Sequence, residues 1–275
     1  MNRIKDFLAE DEGDGDITSN LLIGPEEGSA HITSNEACVL AGLEEAQEVF
    51  HLLGVRAEAK AKDGDILVEG QEILVLHGTL RKILLGERLA LNFLMRMSGI
   101  ATVTRAMVDA CKARNPNVRI ASTRKTTPGF RRYEKKAVKL GGGDPHRFRL
   151  DDGILIKDNH LSVVGSIGEA VGKAKSYSFS RKVEVEVEDL EGAREAAHAG
   201  ADIIMLDNMS LQEAEAAFSE VKRIDRRILV EASGGMTPQS APDYAPFADI
   251  ISMGWITHSA RAVQFSLHLI KDERA

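Results

Sequence analysis

From Val183 to Leu206 the chain reads VEVEVEDLEGAREAAHAGADIIML, and this stretch decides the fold. It holds a strand at 183–187 (VEVEV), a helical pattern at 189–199 (DLEGAREAAHA) and a second strand at 202–206 (DIIML). Two short apolar strands separated by one helix form a parallel βα unit, because parallel neighbours need a long crossover and a helix supplies it. The same rhythm runs outward in both directions. Further strands fall at 118–122 (VRIAS), 153–157 (GILIK), 228–232 (ILVEA) and 249–253 (DIISM), with another helical pattern at 211–222. This alternation predicts an α/β fold, an incomplete α/β barrel with six clear strands and a seventh that the sequence does not place.

Each strand runs directly into a polar or glycine cluster. These are Thr123-Arg124-Lys125, Lys157-Asp158-Asn159, Glu188, Asp207-Asn208, Ser233-Gly234-Gly235 and Gly254. In parallel barrels the C-terminal strand ends carry the chemistry, so these clusters are the first candidates for a site. The first hundred residues follow another pattern. Strand-like runs near 31–40, 55–60, 66–68 and 72–77 precede a helix from about Leu80 to Ser98-Gly99, and together they read as α+β. The expected domains are 1–105 and the barrel at 106–261. A final segment, 262–275, alternates apolar and polar residues and is expected to return to the N-terminal sheet as a strand; a helical reading of it stays open.

Charge is distributed unevenly. The net charge is −7, yet from Arg124 to Arg149 nine Lys or Arg face two acidic residues, a local +7. A basic island in an acidic protein points to local capture of a small anion, since nucleic-acid and membrane binders are basic more widely. Arg124, Lys125, Arg147 and Lys157 sit at predicted strand ends or turns, with His146 beside them. Arg suits planar carboxylates, and Lys suits phosphate as a point charge. Arg132, Lys135, Lys136 and Lys139 fall largely on the outer side of a helix beginning at Pro128, as a solvated basic face. Glu184, Glu186 and Glu188 share one side of their strand and the valines the other. Valines packed under helices leave the glutamates facing the barrel interior, where carboxylates need a cation. Glu186 with Asp207 on the next strand is therefore the candidate Mg²⁺ pair. Ser233, Gly234, Gly235 and Gly254 let backbone N–H groups approach a phosphate, and a following helix N-terminus would add its dipole. His258 either caps a helix or reaches the same site. His160 has no second metal ligand at a suitable spacing, and Gly141–Gly143 reads as a helix stop and hinge.

Only two cysteines, Cys38 and Cys111, occur, far apart and without ligand spacing, which suits a reducing cytoplasm and excludes a disulfide framework. The N-terminal residues lack an apolar signal core and no apolar run approaches 18 residues, so neither secretion nor a membrane span is expected.

With these residues laid out, the chain resembles the quinolinate phosphoribosyltransferase family, also called nicotinate-nucleotide pyrophosphorylase (carboxylating). The resemblance runs nearly end to end. It is carried by Gly15-Asp16-Ile-Thr18, Glu87-Arg88, Ser98-Gly-Ile-Ala-Thr102, Thr123-Arg-Lys-Thr-Thr-Pro-Gly129, Gly141-Gly-Gly143, His146-Arg147, Leu155-Ile-Lys-Asp-Asn-His160, Glu184-Val-Glu186, Met205-Leu-Asp-Asn208, Glu231-Ala-Ser-Gly-Gly235 and Thr257-His-Ser259. A molybdenum-associated paralogue shares several of these motifs but typically lacks Lys-Asp-Asn-His. The resemblance implies an N-terminal α/β sandwich beside a type II phosphoribosyltransferase barrel of six or seven strands. It also implies a homodimer, or a larger homo-oligomer, with shared sites, and small-molecule substrates rather than nucleic acid or membrane. Those substrates would be quinolinate and phosphoribosyl pyrophosphate, with Mg²⁺ as cofactor. Arg88 would reach into the partner's site and join Arg124, His146 and Arg147 on the quinolinate carboxylates. Lys125 and Lys157 would touch both substrates, Thr123 would line the site, and Glu186 and Asp207 would serve the ribose and pyrophosphate. Ser233, Gly234 and Gly254 would hold the 5-phosphate. Trp255-Ile256 departs from the smaller pair usual in the family. Two other classes remain as alternatives: a phospho-sugar isomerase or aldolase, for which Lys157 would need an apolar pocket, and a non-catalytic binder of phosphorylated ligands.

Overall fold

The computed structural model describes residues 3–270 and divides the chain into two units. One takes the residues up to Val103 together with those from Ala260 onward, and the other takes Thr104–Ser259.

The first unit begins with helices α1 (Arg3–Glu12) and α2 (Ile17–Leu22), the latter capped by Asp16, which accepts the Ser19 N–H at 3.0 Å. Strands β1 (Glu27–Ser34) and β2 (Cys38–Val39), helix α3 (Leu43–Leu52) and strands β3 (Arg56–Ala59), β4 (Ile66–Leu67) and β5 (Glu72–Thr79) follow. Period-two burial in β1 hides Ala30, Ile32 and Ser34, and α3 buries Leu43, Ala46, Val49 and Phe50 at helical spacing. The last described segment, Phe265–Ile270, pairs antiparallel with β1, giving a four-stranded sheet in the order last strand, β1, β5, β3. The strand reading of the C-terminal segment therefore holds over these residues; 271–275 lie outside the described residues.

Helix α4 (Leu80–Lys112) is longer than its glycine suggests. Gly99 does not stop it. The backbone of Arg261 packs directly against Gly99, where a Cβ would collide with the Arg261 carbonyl, so the glycine serves close approach and the helix continues for three more turns.

The second unit alternates strand and helix. Strand β6 (Arg119–Ala121) leads to α5 (Arg131–Leu140), β7 (Ile154–Ile156), α6 (Asp158–Val164), α7 (Ile167–Tyr177), β8 (Val183–Val187), α8 (Leu190–His198), β9 (Ile203–Asp207), α9 (Leu211–Ile224), β10 (Leu229–Ser233), α10 (Ala241–Tyr244), β11 (Ile250–Ser252) and α11 (Trp255–His258). The six strands are parallel in the order β6, β11, β10, β9, β8, β7. All six predicted strands are present. No full seventh strand joins them among the described residues. Instead Asp144 makes a single parallel bridge to Ala121, donating its N–H to Ile120 O at 2.7 Å and accepting the Ser122 N–H at 3.0 Å.

Val183, Val185 and Val187 pack with Ala193, Ala196 and Ala197 of α8 and Ala214 and Ala217 of α9. Small helical residues let α8 and α9 lie close against the sheet. That outer packing leaves Glu184 and Glu186 on the opposite, interior face of β8, which lies between β7 and β9 rather than at an edge. Among the described residues no helix is long and apolar enough to cross a membrane. The strand Phe265–Ile270, at the edge of the first unit's sheet, is β12.

Candidate active site

The polar ends of β6, β7, β8, β9 and β10 converge on one cavity of about 440 Å³. Thr123, Arg124, Lys125, His146, Arg147, Lys157, Glu186, Asp207, Ser233, Gly234 and Gly235 line it together. Asn208, part of the predicted Asp207-Asn208 cluster, lines it too; Ser122, Leu155, Met205, Glu231 and Ser252 also line it, and the sequence reading gave none of these five a role in the site. Glu231 carried a usable signal: it lies two residues before Ser233 on the same strand and so shares its face.

Helix α5 holds the two basic loops of this cavity. Glu134, fully buried, accepts the Thr127 N–H at 3.1 Å and the Thr127 hydroxyl at 2.9 Å. Arg131 donates to Thr126 Oγ1 at 2.8 Å, to Phe148 O at 3.1 Å and to Arg124 O at 3.4 Å. Lys135 donates to Pro145 O, and to Arg147 O at 3.2 Å. This corrects the expectation of a solvated face for Lys135. It is 3% exposed, and burial, aided by the nearby Arg131 charge, pulls its ammonium down to about 8. Arg132 and Lys139 are exposed as expected.

The chain reaches His146 through a tight corner. Gly142 has φ +89°, and Gly143 packs so closely on Thr104 and Val138 that the triple glycine is a packed spacer rather than a hinge. His146 itself has φ +52°, a costly conformation for a non-glycine residue, and its N–H bonds Asp144 Oδ1 at 2.8 Å. Burial and the neighbouring Arg124 charge lower Arg147 from its ordinary value, and the Arg124 Nε is buried without a hydrogen-bond partner. Two guanidinium groups crowded in this way are poised for an anion.

On the acidic side, Lys157 pairs with Glu186, and Asn208 Nδ2 donates to Asp207 Oδ2 at 2.7 Å. The Lys157 side chain is 42% exposed and ion-paired, which removes the apolar pocket that an aldolase lysine requires. His160 accepts the Lys157 N–H on Nδ1 at 2.9 Å, so it caps α6. Gly234 (φ +87°) and Asn208 (φ +56°) form adjoining turns, and a Cβ on Gly234 would strike Asn208.

Gly254 and His258 do not line the cavity but stand beside it. A Cβ on Gly254 would come within 3.0 Å of Lys125 Cδ and 3.2 Å of the His258 ring, while Thr257 Oγ1 donates to Lys125 O at 2.8 Å. Of the helix N-termini expected behind the glycines, α11 starts directly after Gly254 but spans only four residues, and α10 begins only at Ala241, well past Gly235. Trp255 is half-buried and Ile256 fully buried, outside the cavity lining. Arg88 lies exposed on α4 in the first unit and is not among the lining residues.

Fold and cavity together define an incomplete parallel barrel whose strand ends gather basic and acidic side chains around one cavity. The family descriptions "Quinolinate phosphoribosyl transferase, N-terminal domain" and "C-terminal domain" match residues 16–98 and 100–268. The chain belongs to that family. It is 45% identical over 276 residues to the probable nicotinate-nucleotide pyrophosphorylase [carboxylating] of Methanothermobacter thermautotrophicus, covering 98% of each chain. It is 38% identical to the Homo sapiens nicotinate-nucleotide pyrophosphorylase [carboxylating], covering 93% of this chain and 86% of that one. The crystal structure of NadC from Streptococcus pyogenes is similar at a TM-score of 0.91 with 41% identity, over 98% of this chain and 96% of that one.

Proposed function

We propose that this protein transfers the phosphoribosyl group of phosphoribosyl pyrophosphate to quinolinate with decarboxylation, giving nicotinate mononucleotide, pyrophosphate and CO₂. One observation carries the reading. A single cavity brings a cluster of Arg124, Arg147 and His146 together with a second set formed by Lys125, Lys157, Glu186, Asp207 and the Ser233–Gly235 turn. The first set suits a planar dicarboxylate, and the second suits a ribose carrying phosphates.

In this reading Arg124, His146 and Arg147 orient quinolinate. Lys125 and Lys157 face the negative charge that builds on the departing pyrophosphate as C1 of the ribose becomes electron-poor. Ser233 and the backbone of Gly234, Gly235 and Gly254 receive the 5-phosphate, with His258 beside them. Glu186 and Asp207 fit Mg²⁺: both are hard oxygen donors on adjacent strands, and each gives one oxygen to Lys157 or Asn208, leaving the other for a cation. The ion would neutralise pyrophosphate charge.

The working form in this proposal is a cytoplasmic homodimer in which Arg88 of one subunit completes the partner's dicarboxylate clamp. Arg88 is exposed, and the two cysteines are buried free thiols, which suits a reducing compartment. The deciding experiment incubates purified protein with both substrates and Mg²⁺. Nicotinate mononucleotide, pyrophosphate and CO₂ should form in equal amounts, and their absence while both substrates bind would overturn the proposal.

A further inference from the structure

On the wall of the cavity, three side chains from separate parts of the chain meet. Glu184 comes from β8, Glu231 from β10, and His146 from the corner after α5. His146 Nε2 lies 3.5 Å from Glu184 Oε2 and 3.5 Å from Glu231 Oε2. The Glu231 side chain is fully buried and that of Glu184 is 7% exposed. Both Glu231 oxygens and Glu184 Oε1 lack a hydrogen-bond partner.

Two carboxylates buried this deeply are costly unless a cation faces them. The His146 ring faces both. Their attraction, Glu184 first and Glu231 second, raises the imidazole to about 10 against the opposing effect of burial. The ring borders the main cavity and, together with Glu184, a second cavity of about 220 Å³, so part of it faces open space. With Nε2 committed to the glutamates, Nδ1–H is the one ring donor left for a ligand.

We propose that Glu184 and Glu231 are positioning residues that hold the His146 ring as a fixed N–H donor to the carboxylates of quinolinate. The inference rests on the proposed role of the basic set in capturing that dicarboxylate. Neither glutamate needs to touch substrate. Their effect passes through His146 and falls on one substrate only.

The test compares Glu184→Gln, Glu231→Gln, His146→Gln and the double variant His146→Gln/Glu231→Gln, with both substrates varied. Each glutamate variant should raise the KM for quinolinate by about tenfold, or about 1.4 kcal/mol, as the ring loses one of the two carboxylates that face it at 3.5 Å, and leave that for phosphoribosyl pyrophosphate nearly unchanged. The double variant should be no worse than His146→Gln alone. Glu231→Asp, which keeps the carboxylate, should recover part of the loss. On the wild-type protein, which needs no variant to fold, ¹⁵N-histidine NMR at pH 8 should show both His146 nitrogens protonated. A neutral ring, additive losses in the double variant, or an unchanged quinolinate KM in Glu231→Gln would each overturn the inference. So would a tightly held divalent metal that Glu231→Gln releases, since these three residues could also ligate one. If His146→Gln itself leaves the quinolinate KM unchanged, the dicarboxylate clamp is what fails.

Discussion

Glu134 grips Thr127 at two points, taking its backbone N–H at 3.1 Å and its hydroxyl at 2.9 Å. A buried carboxylate thus ties the loop carrying Arg124 and Lys125 to helix α5. Glu134→Ala removes two charge-assisted bonds and leaves Thr127 N–H unpaired. It should cost about 2–4 kcal/mol of stability and lower kcat/KM by more than tenfold. Glu134→Gln, which retains one acceptor, should lose less on both counts. Urea melts and steady-state kinetics on the two variants check this.

Glu186→Gln and Asp207→Asn keep shape but remove anionic oxygens. Both should shift the Mg²⁺ requirement upward and raise the KM for phosphoribosyl pyrophosphate more than that for quinolinate. Wild-type kcat at limiting Mg²⁺ in both variants would remove the metal assignment. Quinolinate binding in EDTA, followed by calorimetry, should survive.

Arg88→Ala removes an exposed side chain, so stability should change by less than about 1 kcal/mol while quinolinate turnover falls sharply. If Arg88 completes the partner's site, mixing this variant with Lys125→Ala should regain activity, because one of the two mixed sites carries neither lesion. Mass spectrometry would first confirm the heterodimer. A confirmed heterodimer without regained activity would place Arg88 outside the partner's site.

The His146 imidazolium couples stability to pH. Its folded value, about 10, exceeds the ordinary 6.5, so the folded state holds the extra proton between them. The stabilisation is fully present below pH 6.5 and is lost as pH rises through 10. The gap in urea midpoint between wild type and His146→Gln should therefore narrow from pH 6.5 to 10. A constant gap across that window would show that the ring is not held protonated.

Much of this architecture was legible in local pattern. Val183-Glu-Val-Glu-Val187 announced both a strand and its two faces, because side chains alternate and the valines had helices to pack on. The six barrel strands were short apolar runs with polar ends, and the cavity formed where those ends meet. Features set by distant neighbours were not legible. Lys135 looked like a surface lysine; its burial depends on the carbonyls of Pro145 and Arg147, which only the folded corner brings near. Gly99 looked like a helix stop because the Arg261 backbone that needs the space lies far along the chain. Asp144 makes one bridge without an apolar run, so nothing local marked it as the remnant of a further strand. The contact of His146 with Glu184 and Glu231 likewise joins residues from three separate segments.

The pairing of β12 with β1 has a consequence for synthesis. Strand Phe265–Ile270 is the edge partner of Glu27–Ser34, and every residue of the barrel unit lies between them in the chain. A ribosome that has just delivered residue 259 has emitted the whole barrel, yet the sheet begun at residue 27 still lacks its outer strand. The first sheet to be started is therefore the last to be finished. During translation the β1 edge stays open to any other extended segment until Phe265–Ile270 emerges to cover it.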